Sequence, residues 1–177
     1  IMATTAIWDV KGWLGKLVIY AENPEKTTNP KYYEKQNMND QDTEALGDVI
    51  GYAMREDATV SEELKEHFVS GINCSINTAR TEMMAVKKRY GKKDGIVAFH
   101  GYQSFAPNET TPDIAHEIGV RLANELWGER FQVIVATHLD KENHIHNHFV
   151  LNSVSFKDGY RYNDCTKTYM LMRKTSD

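Results

Sequence analysis

Between Phe131 and Asn152 the chain reads as a β-hairpin whose two arms carry a crowd of histidines, and this pattern limits the fold more than any other. The run Phe131-Gln-Val-Ile-Val-Ala-Thr137 is apolar and β-branched, and Leu139 to Asn143 is polar enough to turn the chain. On the returning arm His144, His146 and His148 alternate with other residues, so on a strand all of them leave the same face. A turn centred near Glu142 sets His138 directly opposite His146, with His148 as its diagonal neighbour. Three imidazoles then converge, and His144 stands as a fourth on the same side. One histidine on a strand is usually just a solvated or packed ring. Four of the chain's seven histidines within eleven residues is a different matter: protonated rings at that spacing repel, and neutral ones need partners. The pattern points to a metal ion.

A ligand set of three histidines with no cysteine nearby does not match a closed structural zinc site, which takes four ligands and often thiolates. It leaves coordination positions for water or a substrate oxygen. Asp140, two residues after His138, could accept the second N–H of a ligand imidazole; as a turn aspartate it needs no such role.

The rest of the composition excludes rather than selects. With 177 residues, 41% hydrophobic and 26% charged, the chain suits one globular domain, expected to span 1–177. No apolar run approaches the ~20 residues that cross a bilayer, and residues 1–5 lack the features of a signal peptide. Cys74 and Cys165 make no disulfide framework, which suits a reducing cytoplasm. A net charge of −4 argues against coating long nucleic acid with the whole surface, but not against a local basic groove. Lys87 to Lys93 is the densest positive run, and Arg161, Lys167, Arg173 and Lys174 give the C-terminal stretch another.

Along the chain, Thr4 to Asp9 is a strand candidate, and Leu14, Leu17, Val18 and Ala21 form one helical stripe. Glu25 to Asp42 reads as a loop, Leu46 to Met54 as an amphipathic helix, Ser61 to Val69 as a short further element, and Thr78 to Tyr90 as a helix closing on Gly91. Ile96 to Phe105 is the longest strand candidate, and Thr111 can cap a helix that starts at Pro112 and closes on Gly128. The order strand, helix, strand, strand predicts a mostly antiparallel sheet covered by helices, an α+β domain of two layers. A further helix start is predicted over Lys167–Arg173, as though the chain continued into a longer protein.

An open metal site can activate water or polarise a phosphoryl oxygen. No His-Glu-x-x-His helix suggests a zinc protease, and no His-x-Glu with Pro-Cys-x-x-Cys suggests a deaminase. Phosphoryl transfer remains, and it needs a nucleophile. Three blocks supply one by resemblance. Val18-Ile-Tyr-Ala-Glu-Asn-Pro-Glu-Lys-Thr27, His100-Gly-Tyr-Gln-Ser-Phe-Ala-Pro-Asn-Glu-Thr-Thr-Pro112, and Thr137-His-Leu-Asp with His146-Asn-His-Phe-Val-Leu-Asn152 resemble, in order, the three motifs of relaxases. These are the HUH-type DNA-nicking enzymes of conjugative transfer and plasmid mobilisation, and the chain is most similar to their MobP (VirD2-like) subgroup. Gly71-Ile-Asn-Cys74 is also similar to this subgroup, with no role attached. Two positions depart from the pattern: Asn108 stands where the second motif has Gly, and Asn147 sits between the paired histidines where an apolar residue is usual.

The resemblance implies an RRM-like (palm) antiparallel sheet with helices on one face. It implies that Tyr20 attacks the scissile phosphate of single-stranded DNA at an origin of transfer, giving a 5′-phosphotyrosyl intermediate that can be rejoined. Tyr52, in a second Tyr-Ala-x5-Thr frame, competes for that role. His138, His146 and His148 become the ligands of Mg2+ or Mn2+, with His144 in reserve, and Asp140 orients a ligand or helps to take the tyrosine proton. Ser104, Lys26 and Arg161 become DNA contacts. The implied partners are the origin's single strand and hairpin, accessory relaxosome proteins and a coupling protein, for a cytoplasmic protein of the donor cell that can travel with the DNA. A rolling-circle replication initiator shares the chemistry, and a non-catalytic, metal-stabilised single-stranded DNA-binding module is the alternative of another class.

Overall fold

The computed structural model describes residues 3–11, 50, 68–139 and 144–177. The helices expected over Gly12–Ala21 and Leu46–Met54 and the loop between them lie outside these residues, apart from Ile50, which is helical and buried. The described elements are β1 (Thr4–Lys11), β2 (Val69–Ile72), α1 (Ala79–Arg89), β3 (Ile96–Ser104), α2 (Pro112–Trp127), β4 (Val133–His138), β5 (His146–Asn152) and α3 (Thr166–Ser176). Among them the strands form one sheet in the order β1-β3-β5-β4-β2, with every neighbouring pair antiparallel.

The central strands read as they do because both of their faces are covered. All six residues of β4 are buried, which is why this segment is a continuous apolar run rather than an alternating one. Phe99, Val133, Val135, Phe149 and Leu151 pack on one face against Leu122, Ala123 and Trp127 of α2 and Met172 of α3. On the other face Val10, Ala98, Ile134, Ala136 and Val150 meet Ala79 and Met83 of α1, together with Ile50. Helices therefore lie on both faces, and the expected single helical layer becomes two. Among the described residues no helix is long and apolar enough to cross a membrane.

The helix ends follow their sequence signals, with one exception. α1 closes in a Schellman turn: Gly91 takes φ +64°, its N–H donates to the Lys88 carbonyl at 3.2 Å, and the Lys92 N–H donates to Lys87 at 2.8 Å. α2 begins on Thr111 and Pro112 as expected, but the Thr111 side chain makes no capping bond. Strand β2 is the element that sequence periodicity does not reveal. It is four residues long at the sheet edge, with Gly71 inside it. The segment Gly71-Ile-Asn-Cys74, which carries no role in the sequence, has a structural one. A Cβ on Gly71 would lie 2.2 Å from the Cys74 carbonyl oxygen. Asn73, at φ +58°, donates from its amide to the Gly128 and Phe131 carbonyls at 2.6 and 2.9 Å, which ties the end of β2 to the turn between α2 and β4.

At the far end of the sheet Lys87 is fully buried, and its ammonium donates to Asn152 Oδ1 and, at 2.7 Å, to Ser153 Oγ. Burial, helped by the charge of Arg161, pulls its pKa down to about 7. The unfolded chain then holds more protons than the folded one above pH 7, so stability rises with pH there. Denaturant melts between pH 7 and 8.5 should show unfolding free energy rising by up to about 1.4 kcal/mol per pH unit, and Lys87→Met should flatten that slope. An equal slope in the variant would place the effect elsewhere.

Candidate metal centre

The hairpin register follows from the alternation along β5. His138 pairs with His146 and Ala136 with His148, so the three histidines share one face at one end of the sheet. Their ligand atoms all lie within 4.8 Å of one another. The ring centroids are 3.9 Å apart for His138 and His148, 4.9 Å for His146 and His148, and 5.2 Å for His138 and His146. His138 is fully buried and His148 nearly so, while His146 reaches partly toward solvent. Nitrogens that share one ion at bond lengths of about 2.1 Å sit about 3.0–3.5 Å apart. Small rotations of these rings would close the set, which could hold a metal ion.

Two of the rings have neighbours that select the free nitrogen. His146 Nδ1 donates to the His144 carbonyl at 3.1 Å, which leaves Nε2 as its donor atom to a metal. The His144 ring itself is exposed and outside the group of three. His148 Nδ1 lies 2.8 Å from His100 Nε2, in the middle of β3. His100 is buried, and that desolvation, with the charge of His138 added, pulls its pKa down to about 3. His100 opens the second sequence block but carries no role there, although its place two and four residues before Tyr102 and Ser104 on one strand face was available as a signal.

The opposite face carries the support. Asn147, between the paired histidines, is fully buried among polar partners. Its Oδ1 accepts from the Thr137 hydroxyl at 2.6 Å, and its Nδ2 donates to Gln103 Oε1 at 3.0 Å and to the Ala115 carbonyl at 2.7 Å. With the Thr137 proton used on Asn147, its oxygen accepts from His116 Nδ1 at 2.8 Å, and His116 Nε2 accepts from Ser70 at 2.7 Å. Gln103 Nε2 continues the chain to Ser176 of α3 at 2.7 Å. Burial lowers the His116 pKa against the opposing pull of Asp113, in keeping with this neutral role. Gly119 lets α2 come this close, since a Cβ there would meet Asn147 Nδ2 at 2.5 Å.

The neighbours of Asn147 are polar, and an apolar residue here should be harmful. Asn147→Leu should lower the unfolding free energy by roughly 2–4 kcal/mol in urea melts, because Thr137, Gln103 and the Ala115 carbonyl lose their partner inside the protein. A loss below about 0.5 kcal/mol, the scale of an ordinary surface substitution, would show that the network carries no such weight.

The other candidate residues are placed as follows. Ser104 ends β3 directly across from His146, and the Phe105 N–H beside it donates to the Ile145 carbonyl at 3.1 Å. The second sequence block therefore flanks the histidines. Within it Asn108 takes φ +61°, a left-handed conformation that Asn tolerates better than most residues, and Glu109 Oε2 accepts from the Ala106 N–H at 3.0 Å. Arg161 is not brought to this end: it bridges to Val154 beyond β5, and its guanidinium donates to the Asp94 carbonyl at 2.8 Å. Tyr20, Lys26, Tyr52 and Asp140 lie outside the described residues.

Residues 52–177 match the family model described as relaxase, MobA/VirD2-like, nuclease domain. A protein rlx of Staphylococcus aureus is 40% identical over 108 residues, 61% of this chain and 34% of that protein. A second protein rlx of the same species is 37% identical over the same share of this chain and 32% of its own. The group II intron-interrupted relaxase LtrB of Lactococcus lactis subsp. cremoris (strain MG1363) is 29% identical over 169 residues, covering 81% of this chain and 28% of its own. The chain thus spans about a third of the length of these relatives. No solved structure matches.

Proposed function

Because the chain belongs to the MobA/VirD2-like relaxases, we propose that it nicks and rejoins one DNA strand at an origin of transfer, through a tyrosine and a divalent metal ion. The observation that carries this reading is the convergence of His138, His146 and His148 on one sheet face, with Ser104 across from His146. Tyr20 is the nucleophile. Its phenol oxygen bonds to the scissile phosphorus, the bond from phosphorus to the 3′ oxygen breaks, and that oxygen leaves with the bonding pair and takes a proton from water to become a 3′-OH. The product is a 5′-phosphotyrosyl link, and attack by a 3′-OH reverses it without loss of the bond energy.

A free phenol has a pKa of about 10, so its proton needs an acceptor, and Asp140 is the candidate. His138, His146 and His148 would hold the ion through neutral imidazoles; when bound, it would supply positive charge to the non-bridging phosphate oxygens. Of the two expected ions Mn2+ suits three nitrogen donors better than Mg2+, which favours oxygen ligands. Ser104 is suited to hold DNA beside the histidines, while Lys26 and, at the far end of the sheet, Arg161 supply charge for the backbone. The reaction belongs in the cytoplasm of a donor cell, in a relaxosome with accessory proteins and a coupling protein.

The test is incubation of the chain with single-stranded origin oligonucleotides and Mn2+, followed by denaturing electrophoresis. A protein–DNA adduct that forms with one strand and disappears with EDTA is the expected result. Binding that ignores metal, with no adduct on any origin strand, would favour the non-catalytic module.

A further inference from the structure

We propose that His100 is a positioning residue for the metal centre, acting as the acceptor that fixes His148 in the tautomer able to bind an ion through Nε2. The inference rests on the metal reading above and extends it to a residue outside the three ligands. His100 lies in the middle of β3, pairs with Val150 in the ladder and shares the face of the histidines. Its Nε2 stands 2.8 Å from His148 Nδ1, and one proton must lie between these two nitrogens. If His100 held it, His148 would carry its own proton on Nε2 and could not be a ligand through that atom. If His148 Nδ1 holds it, His148 Nε2 presents a lone pair beside His138 and His146, and His100 carries its remaining proton on Nδ1. Metal binding therefore selects one of two tautomer pairs.

The surroundings of His100 hold the ring in place. It is buried, its centroid lies 5.0 Å from that of His148, and Trp8 of β1 packs against it at 4.8 Å. Ligand imidazoles commonly donate their second N–H to a carboxylate or a carbonyl. His146 follows that pattern through the His144 carbonyl. His148 instead uses a second imidazole, an acceptor that can itself exchange tautomers and that arrives from the neighbouring strand.

Mn2+ titration of the 177-residue chain, followed by electron paramagnetic resonance, separates the possibilities. His100→Phe keeps a ring but removes the acceptor, and should weaken Mn2+ binding about 10- to 100-fold. His100→Gln restores an acceptor near the Nε2 position and should recover most of the affinity. Equal losses in both variants, or no loss in either, would overturn the inference while leaving the metal reading intact. Failure of the wild-type chain to bind Mn2+ would overturn both. Nitrogen-15 NMR of the wild-type chain with diamagnetic Zn2+ requires no variant to fold: it should show His148 protonated on Nδ1 and His100 unprotonated on Nε2. A proton on His100 Nε2 would overturn the inference.

Discussion

His138→Ala should bind Mn2+ more than about 100-fold more weakly than the wild-type chain, a larger loss than the 10- to 100-fold typical of residues that only support a ligand. His138 is the fully buried member of the set, on the strand opposite the other two, and closest in ring distance to His148. Its loss leaves two nitrogens from one strand and opens a hole between the arms of the hairpin. His144→Ala should stay within about threefold of wild type, since the His144 ring is exposed and its part in the hairpin is a backbone carbonyl that alanine keeps. The comparison controls for general damage, because both substitutions lie in the same hairpin. Metal affinity should also fall on acidification, since the ligand rings must be neutral. Isothermal titration calorimetry checks each of these outcomes, and comparable losses in the two variants would argue for a different ligand set.

Tyr20→Phe should abolish the covalent protein–DNA adduct, with nicking reduced by at least about 1,000-fold, because phenylalanine removes the oxygen that forms the bond and leaves the ring. DNA binding should change little, as should Mn2+ affinity. Tyr52→Phe, in the similar frame, should keep the adduct. Denaturing electrophoresis with labelled origin DNA reads both variants side by side. Adduct at wild-type yield in Tyr20→Phe together with its loss in Tyr52→Phe would move the nucleophile to Tyr52.

The hairpin and the histidine face were legible in the sequence because both rest on local period. Alternation along β5 and the turn composition are enough to set His138 opposite His146. The helix ends at Gly91 and Pro112 were legible for the same reason: glycine and proline act within a few residues of themselves. What sequence could not show depends on contacts across the fold. Asn147 looks like a departure until Gln103, 44 residues away, and Ala115, 32 residues away, appear beside it. His100 reaches His148 only through the pairing of β3 with β5. β2 is too short to show a period and has a glycine inside, so its edge pairing with β4 becomes visible only in the folded sheet. The helix over Thr78–Tyr90 was legible, but its place on the histidine face was not, because α1 is polar on average, yet it buries Ala79, Met83 and Lys87.

The proposed chemistry requires that one ion join three particular rings. Electron spin-echo spectroscopy of Mn2+ bound to chains with single histidine-to-glutamine substitutions counts coordinated imidazoles directly. The wild-type chain should show three nitrogen couplings, and loss of His138, His146 or His148 should each remove one, while His144→Gln should retain all three. A wild-type spectrum without imidazole couplings, or one that loses a coupling in His144→Gln, would contradict the assignment.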